Sequence, residues 1–511
     1  VRYGFLIDQR KCIGCHACTV ACKSENLVPL GVYRTWVKYV EKGTFPHTRR
    51  SFTVLRCNHC DDAPCVAICP TKALFRRPDG IVDFDQSRCI GCKSCMQACP
   101  YDAIYIDPIT HTAAKCNYCS HRVDQGLLPA CVIVCPEKAI IAGDLDDPTS
   151  EIHQLVAREP VSVRKPEQGT RPKLFYLGAD EANLTPEVQT RENSFLWAEV
   201  RPDGRPEEAV RGTELLPGPA DARVAYDVWH PKPWGWKVAS YLWTKSVASG
   251  VLGIAGPLLA LGALADRPLF QLGAPLIGLI FLALTVLLLI WDLKRPERFW
   301  YLLVKPNPTS WLVWGGYILL LFGALAFLWV VAAWMEASGL LGVLWWLGLP
   351  VGIATAGYTA FLFGQAEGRD FWQSPLLLPV LLAQAVVAGA ASLVLLGALG
   401  GGTQGEARWL AAMLAGGLVV LVVLVASELL TSHSNLHVAK TVELLTRGPY
   451  RVELLLVGLG IGVVLPLVAL VVGWGSGALT GWSVVAAIAA LIGLWSYERI
   501  WVSAGQDVPL S

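Results

Sequence analysis

The chain has 511 residues with 42 Lys and Arg against 41 Asp and Glu, a net charge of +1 that excludes nucleic acid as a partner, because gripping a polyanion needs a basic face. A single core rarely grows beyond about 250 to 300 residues, so at least two domains are expected. Composition divides them: polar and Cys-rich to about Trp229, then Leu, Val, Ala, Gly and Trp from about Trp234.

In chain order, the opening VRYGFLIDQRKCIGC lacks an apolar core and twin arginines, so no targeting segment is expected there. All sixteen cysteines then fall between Cys12 and Cys135, too tightly spaced for a secreted disulfide scaffold, and read as metal ligands. Cys12, Cys15, Cys18 and Cys22 form C-x2-C-x2-C-x3-C; Cys89, Cys92, Cys95 and Cys99 repeat it, with Pro100 following. Two variants complete the set: Cys57, Cys60, Cys65 and Cys69, then Cys116, Cys119, Cys131 and Cys135, each followed by Pro. Three cysteines on one tight loop can wrap three corners of a cubane, while the fourth points away toward a neighbouring cluster. Structural zinc also uses C-x2-C pairs but seldom shows the third close cysteine or the Cys-Pro ending. No run lacks a ligand, so the expectation is four [4Fe–4S] clusters.

Strand-like pieces RYGFLID, GIVDFD and DAIYID flank the runs. An α+β ferredoxin-like domain over 1–150 is expected, with the clusters serving as most of its core. His16, His59, His111 and His121 are then supports or surface groups, every quartet being filled. Lys11, Lys23, Arg56, Arg88, Lys93 and Lys115 would raise cluster potentials by offsetting anionic charge, or else are ordinary solvated charges.

These runs resemble the four-cluster ferredoxin subunits of the molybdopterin oxidoreductase superfamily, over residues 1 to about 180. The resemblance implies that runs one and four exchange their last cysteines, as do runs two and three. The ligand sets would be Cys12, Cys15, Cys18 with Cys135; Cys116, Cys119, Cys131 with Cys22; Cys57, Cys60, Cys65 with Cys99; and Cys89, Cys92, Cys95 with Cys69. It also implies that the first pair faces a molybdopterin catalytic subunit and the second pair the membrane. Residues 151–232 are polar and rich in Pro and Glu without a sustained period, and read as an extended arm, its part RKPEQGTRPKLFY being most like that family.

A bilayer core needs about 20 apolar residues per helix. Within 233–503 eight candidate spans are read, at 236–265, 269–291, 311–335, 341–366, 375–399, 409–431, 451–474 and 479–500, with 504–511 as a tail. This half is therefore an all-α polytopic bundle. Eight spans return the polypeptide to the side of the cluster domain. That side carries Lys232, Lys237, Lys294, Arg295, Arg298, Lys305, Arg369, Lys440, Arg447, Arg451 and Arg499, the far side Arg267 and Arg408. The positive-inside rule then sets the cluster domain in the cytoplasm of a prokaryotic inner membrane. A docking surface would give the same bias, and many relatives by resemblance carry this module on the periplasmic side.

Ionisable residues inside spans are rare and usually functional. Lys245 and, one turn earlier, Tyr241 lie in the first span, Asp292 ends the second, Tyr358 and Gln365 lie late in the fourth, and Glu428 ends the sixth with His433 and His437 beyond. All lie toward the cluster side, where a quinone head would need hydrogen-bond donors and a proton-exchanging group near a cluster. The quinone-site candidates are Tyr241, Lys245, Asp292, Tyr358, Glu428 and His433, with interfacial ion pairing the alternative for Asp292 and snorkelling for Lys245. A bis-His haem needs histidines from two facing helices, and this half offers only His230, His433 and His437, so no haem is expected.

DLKRPERFWYLLVKPNPTSWLVWG, YTAFLFGQ and ERIWVSAGQDVPLS resemble the NrfD/polysulfide-reductase membrane subunit family over nearly all of 236–511, which implies a haem-free quinone-reactive anchor. The joint expectation is a fused electron-transfer and membrane-anchor component linking the quinone pool, menaquinone or ubiquinone, to a catalytic partner. The alternative is a module of a quinol:cytochrome c machine of alternative-complex-III type. The third, fifth and seventh spans carry no charge in their interiors, so proton exchange is expected on the cluster side only.

Overall fold

The run YGFLID is apolar enough to bury both its faces, and it does so as the centre of a sheet. In the computed structural model, which describes residues 1–190, 222–264, 268–433 and 435–511, strand Tyr3–Asp8 pairs antiparallel with Ile140–Asp144 and parallel with Leu174–Leu177. Thus the start of the polypeptide, the segment after the fourth run and a segment some 30 residues later are stitched together. A second sheet joins Thr35–Lys42 to Arg49–Arg56 and, on its other side, to Ala222–Tyr226. Two small hairpins, Leu74–Arg76 with Val82–Phe84 and Ile104–Ile106 with Ala113–Lys115, separate the second, third and fourth cysteine runs. They contain the GIVDFD and DAIYID pieces read as strands.

The described part of the expected arm, up to residue 190, is not extended. Glu151–Arg158 is a helix whose Ile152, Leu155 and Val156 share one face, and that face packs with Leu6, Ile141, Leu145 and Leu177. Its abundant Pro and Glu mask one short apolar stripe and one buried strand, which suffice to fold it back. Residues 191–221 of that reading lie outside the described residues.

Eight helices of spanning length follow among the described residues: Trp236–Ala260, Pro268–Asp292, Trp311–Trp334, Ser338–Gly364, Leu377–Leu399, Gln404–Leu430, Arg451–Ser476 and Leu479–Asp507. The fold is therefore a ferredoxin-like cluster domain followed by a polytopic helical bundle. The first and fifth spans form its axis, with 83% and 78% of their apolar windows buried against 22% for the second and seventh. They touch backbone to backbone: a Cβ on Gly250 would stand 1.8 Å from the Ala385 carbonyl oxygen, and one on Gly389 2.2 Å from the Gly250 carbonyl carbon. Small residues permit such approaches where lipid supplies no hydrophobic drive. The last helix runs to Asp507, seven residues beyond its expected end at 500, because its polar end is buried under the cluster domain instead of meeting water. A short helix, Leu436–Thr446, lies between the sixth and seventh spans.

Candidate functional site

Each cysteine loop is bent by residues with positive φ. Gly14 and His16 sit at φ 71° and 58° in the first run, Gly91 and Lys93 at 69° and 65° in the third, His59 at 44° in the second, and Tyr118 and Cys119 at 62° and 49° in the fourth. These turns gather thiols on the inside of the loop. Cys12, Cys15, Cys18 and, from the far end of the domain, Cys135 line one cavity. Cys22 faces Cys116, Cys131 and Cys119, and Asn26 Nδ2 approaches Cys22 Sγ at 3.8 Å and Cys119 Sγ at 3.6 Å. Cys65 faces Cys99, Cys57 and Cys60. Cys95 faces Cys92, Cys89 and Cys69.

The four neighbourhoods also form a line. Cys95 meets Cys65, Cys116 meets Cys57, and Cys18 meets Cys131, so the order runs from the Cys89 loop through the Cys57 and Cys116 loops to the Cys12 loop. Burial pushes the Cys116 thiol up to about 12, with the Arg56 charge opposing and the neighbouring cysteines adding to the rise. Such a thiol would stay protonated unless something cationic bound it. Backbone N–H groups already aim at the sulfurs, as Ala139 at Cys135 (3.2 Å), Ala113 and Gly91 at Cys89 (3.3 and 3.4 Å) and His59 at Cys57 (3.4 Å). Among the described residues no three His, Cys, Asp or Glu close on a point that would suit a single ion. Thiols that converge in fours without forming a single-ion site fit an iron–sulfur cluster.

The second and third runs are clamped onto the membrane half. Asn307 Nδ2 donates to Cys69 O at 2.8 Å, Ser310 Oγ to Ile68 O at 2.7 Å and Arg298 Nη1 to Cys89 O at 2.9 Å. Backbone N–H groups of Lys294 and Arg295 donate to Gly91 O and Ile90 O at 3.1 and 3.2 Å. Between Cys95 and Cys99, Gln97 accepts from Arg369 Nε at 2.9 Å and donates to Gln506 Oε1 at 2.6 Å. Lys93 pairs with Asp292 at 2.7 Å. Burial alone would lower the Lys93 ammonium, and the Asp292 charge opposes that. Beneath this clamp, Lys245 Nζ donates to Ala356 O at 2.8 Å and Thr359 Oγ1 at 2.6 Å and lies 5.2 Å from the Tyr358 ring centre.

Residues 227–509, more than half the sequence, match the family described as Polysulphide reductase, NrfD. The protein belongs to the NrfD family. Ahead of the NrfD part, residues 11–74 and 48–145 match 4Fe-4S dicluster domains. The same N-terminal part is 48% identical over 203 residues to a tetrathionate reductase subunit of Salmonella typhimurium, covering 39% of this sequence and 81% of that one. It is 45% identical over 181 residues to a polysulfide reductase chain of Wolinella succinogenes, covering 34% and 94% respectively. With the Arsenate respiratory reductase iron-sulfur subunit ArrB of a Shewanella species it shares 36% over 225 residues, covering 35% and 96%. The molecule is thus an iron–sulfur protein fused to a multi-pass NrfD membrane domain.

Within the NrfD part the six quinone-site candidates separate. Lys245, Tyr241 and Tyr358 come together, all buried. Asp292 is taken by Lys93 into the docking clamp. Glu428 accepts from Ser374 and neighbours Tyr497, beside an apolar groove between the last three spans whose lining includes Val425, Leu429, Gly462, Leu494 and Tyr497. His433, just beyond that span, keeps a buried Nε2 without a hydrogen-bond partner among the described residues. The charged group that does face Lys245 is Glu498. It is 1% exposed, and neither carboxylate oxygen has a hydrogen-bond partner among the described residues. Sequence reasoning passed over Glu498, although an acidic residue late in the last apolar run, SYERIW, is itself the signal. Of the cations beside the runs, Arg56, Lys93 and Lys115 are buried, Lys23 donates to Pro29 O and Val32 O, Lys11 lies by Asp8 and Arg88 is exposed.

Proposed function

We propose that the protein relays electrons between a membrane quinone and a separate molybdopterin catalytic subunit through four [4Fe–4S] clusters, the NrfD domain supplying the quinone site. The observation that carries this reading is the line of thiol neighbourhoods, which starts at the clamp above Lys245 and ends at the Cys12 cavity. Quartets Cys89, Cys92, Cys95 with Cys69; Cys57, Cys60, Cys65 with Cys99; Cys116, Cys119, Cys131 with Cys22; and Cys12, Cys15, Cys18 with Cys135 would hold the clusters in that order. The clusters supply one-electron steps at graded potentials when bound. At the far end Cys15 is exposed, and so are Ile13, Val20, Leu27 and Ile133, an apolar face suited to a catalytic subunit. The relatives' names, components of tetrathionate, polysulfide and arsenate reductases, support such a partner.

Quinone and quinol differ by two electrons and two protons, so the membrane site must pass protons as well as bind. Lys245 offers an ammonium donor to a quinone oxygen, Tyr241 and Tyr358 supply phenol groups, and Glu498 is the adjacent carboxyl that accepts or returns a proton. The buried Glu498 lacks any hydrogen bond among the described residues that would hold it in one protonation state. Lys245→Met should cut quinol-driven reduction of the clusters while leaving all four cluster signals in low-temperature EPR. Unchanged turnover would remove Lys245 from the site, and fewer than four clusters by iron and sulfide analysis would sink the relay.

A further inference from the structure

Arg56 ends the strand Arg49–Arg56, next to the second cysteine run, and its side chain is driven inward to 1% exposure. It lies over the Phe5 ring at 4.5 Å, and its Nη1 donates to Cys131 Sγ at 3.0 Å. Its Nε and Nη2 are buried with no hydrogen-bond partner among the described residues, and no ion pair joins it to a carboxylate there. A guanidinium cannot shed its proton, so a fully buried one without a counter-charge is strongly unfavourable. The groups that face it are the sulfurs of Cys131, Cys116 and Cys18, which become anionic thiolates as cluster ligands. Two belong to the Cys116, Cys119, Cys131, Cys22 quartet and one to the Cys12 quartet, so Arg56 stands at the waist between the two sites farthest from the membrane.

The other buried cations beside the runs are placed differently. Lys93 is offset by Asp292 at 2.7 Å, and Lys115 spends its ammonium on the carbonyl oxygens of Val82 and Cys116. We infer that Arg56 is the shared counter-ion of these two clusters and raises the reduction potential of both, more strongly that of the cluster bound by Cys131. The physics is direct: reduction adds an electron to an already anionic cluster, and a fixed positive charge in a dry site stabilises the reduced form. The hydrogen bond to Cys131 Sγ draws electron density from that ligand and adds a second effect of the same sign. The two unpartnered guanidinium nitrogens, Nε and Nη2, can donate to cluster sulfur. The consequence is an electron sink at the catalytic end of the relay, away from the quinone.

This inference rests on the four-cubane reading, and the test separates the two. In the purified complex, EPR-monitored redox titration of Arg56→Gln should lower two of four midpoint potentials, those of the Cys116 and Cys12 quartets, with the former moving more. The signals are assigned through Cys119→Ser and Cys15→Ser variants. Arg56→Lys, which keeps the charge but loses the fork, should return the Cys12-quartet potential to near its original value and leave the Cys116 quartet lowered. Four unmoved potentials, an equal shift of all four, or a shift confined to the Cys57 and Cys89 quartets would overturn it. If Arg56→Gln fails to load iron, the Lys variant decides alone: both potentials unmoved, or both lowered equally, defeats the proposal. Fewer than four clusters in the unsubstituted protein defeats the cubane reading instead.

Discussion

Lys245 and Glu498 meet from opposite ends of the membrane half, one in the first span and one in the last. The first was legible: a lysine two to three turns into an apolar helix, with Tyr241 four residues earlier, declares itself by cost alone. The contact between the two was not, because nothing local encodes which of eight helices lies beside which. The same holds for Asp292, whose position at a helix end does not announce Lys93 at 2.7 Å. If Glu498 is the proton-exchanging group, Glu498→Gln keeps volume and removes the titration. Turnover with quinol should fall roughly 100-fold, the low end of what general acid–base groups contribute, with the loss in kcat rather than KM. Reduction of the clusters by dithionite should be unaffected. A quinol turnover within twofold of the parent would return the role to Glu428.

At the scale of elements, the strongest local signals were read correctly and the quiet ones were not. The cysteine runs, the flanking hairpins and all eight apolar helices stand out from residue spacing or run length. Helix Glu151–Arg158 and strand Leu174–Leu177 were hidden by polar neighbours, since each contributes only a few apolar residues to a sheet that is completed far along the sequence. The short helix Leu436–Thr446 was hidden for a related reason, and it brings His437 into the interior. There both ring nitrogens lack a hydrogen-bond partner among the described residues, with Lys165, Glu187, Asp370 and Arg369 as the facing charges. Burial first, and Lys165 next, lower the imidazole to about 4 from an ordinary 6.5. The native state therefore resists a proton that the unfolded state accepts, so His437 costs nothing above pH 6.5 and destabilises progressively as pH falls toward 4. His437→Leu should flatten the acid side of the thermal-stability profile between those limits, measured on the detergent-solubilised protein. An unchanged profile would mean that the ring is already charged or solvated.

For the whole molecule, the division into a cluster domain and a helical bundle followed from composition, but the way they are joined did not. Docking the cluster domain requires that the bundle's gaps carry donors for its oxygens, and Arg295, Arg298 and Arg369 are used for that purpose, on Thr110 O, Cys89 O and Gln97 Oε1. A bias of positive charge toward the cluster side thus has two origins mixed together, docking and membrane topology. Removing the docking arginines leaves Lys232, Lys237, Lys294, Lys305, Lys440, Arg447, Arg451 and Arg499 toward the cluster side against Arg408 on the far side, while Arg267 lies outside the described residues. The remaining excess still has the sign that the positive-inside rule assigns to the cytoplasm. In inside-out vesicles, protease should therefore cut the cluster domain, and in right-side-out vesicles it should not; cutting from the periplasmic face would reverse the orientation. The clamp itself can be weakened in the same vesicles by Asp292→Asn, which leaves the buried Lys93 charge without its partner at a cost of about 3 kcal/mol. Quinol should then reduce the clusters more slowly although every thiol and Tyr241, Lys245, Tyr358 and Glu498 are intact. A normal rate would mean that the remaining hydrogen bonds from Arg298 and from the backbone N–H groups of Lys294 and Arg295 hold the Cys89 loop in place by themselves.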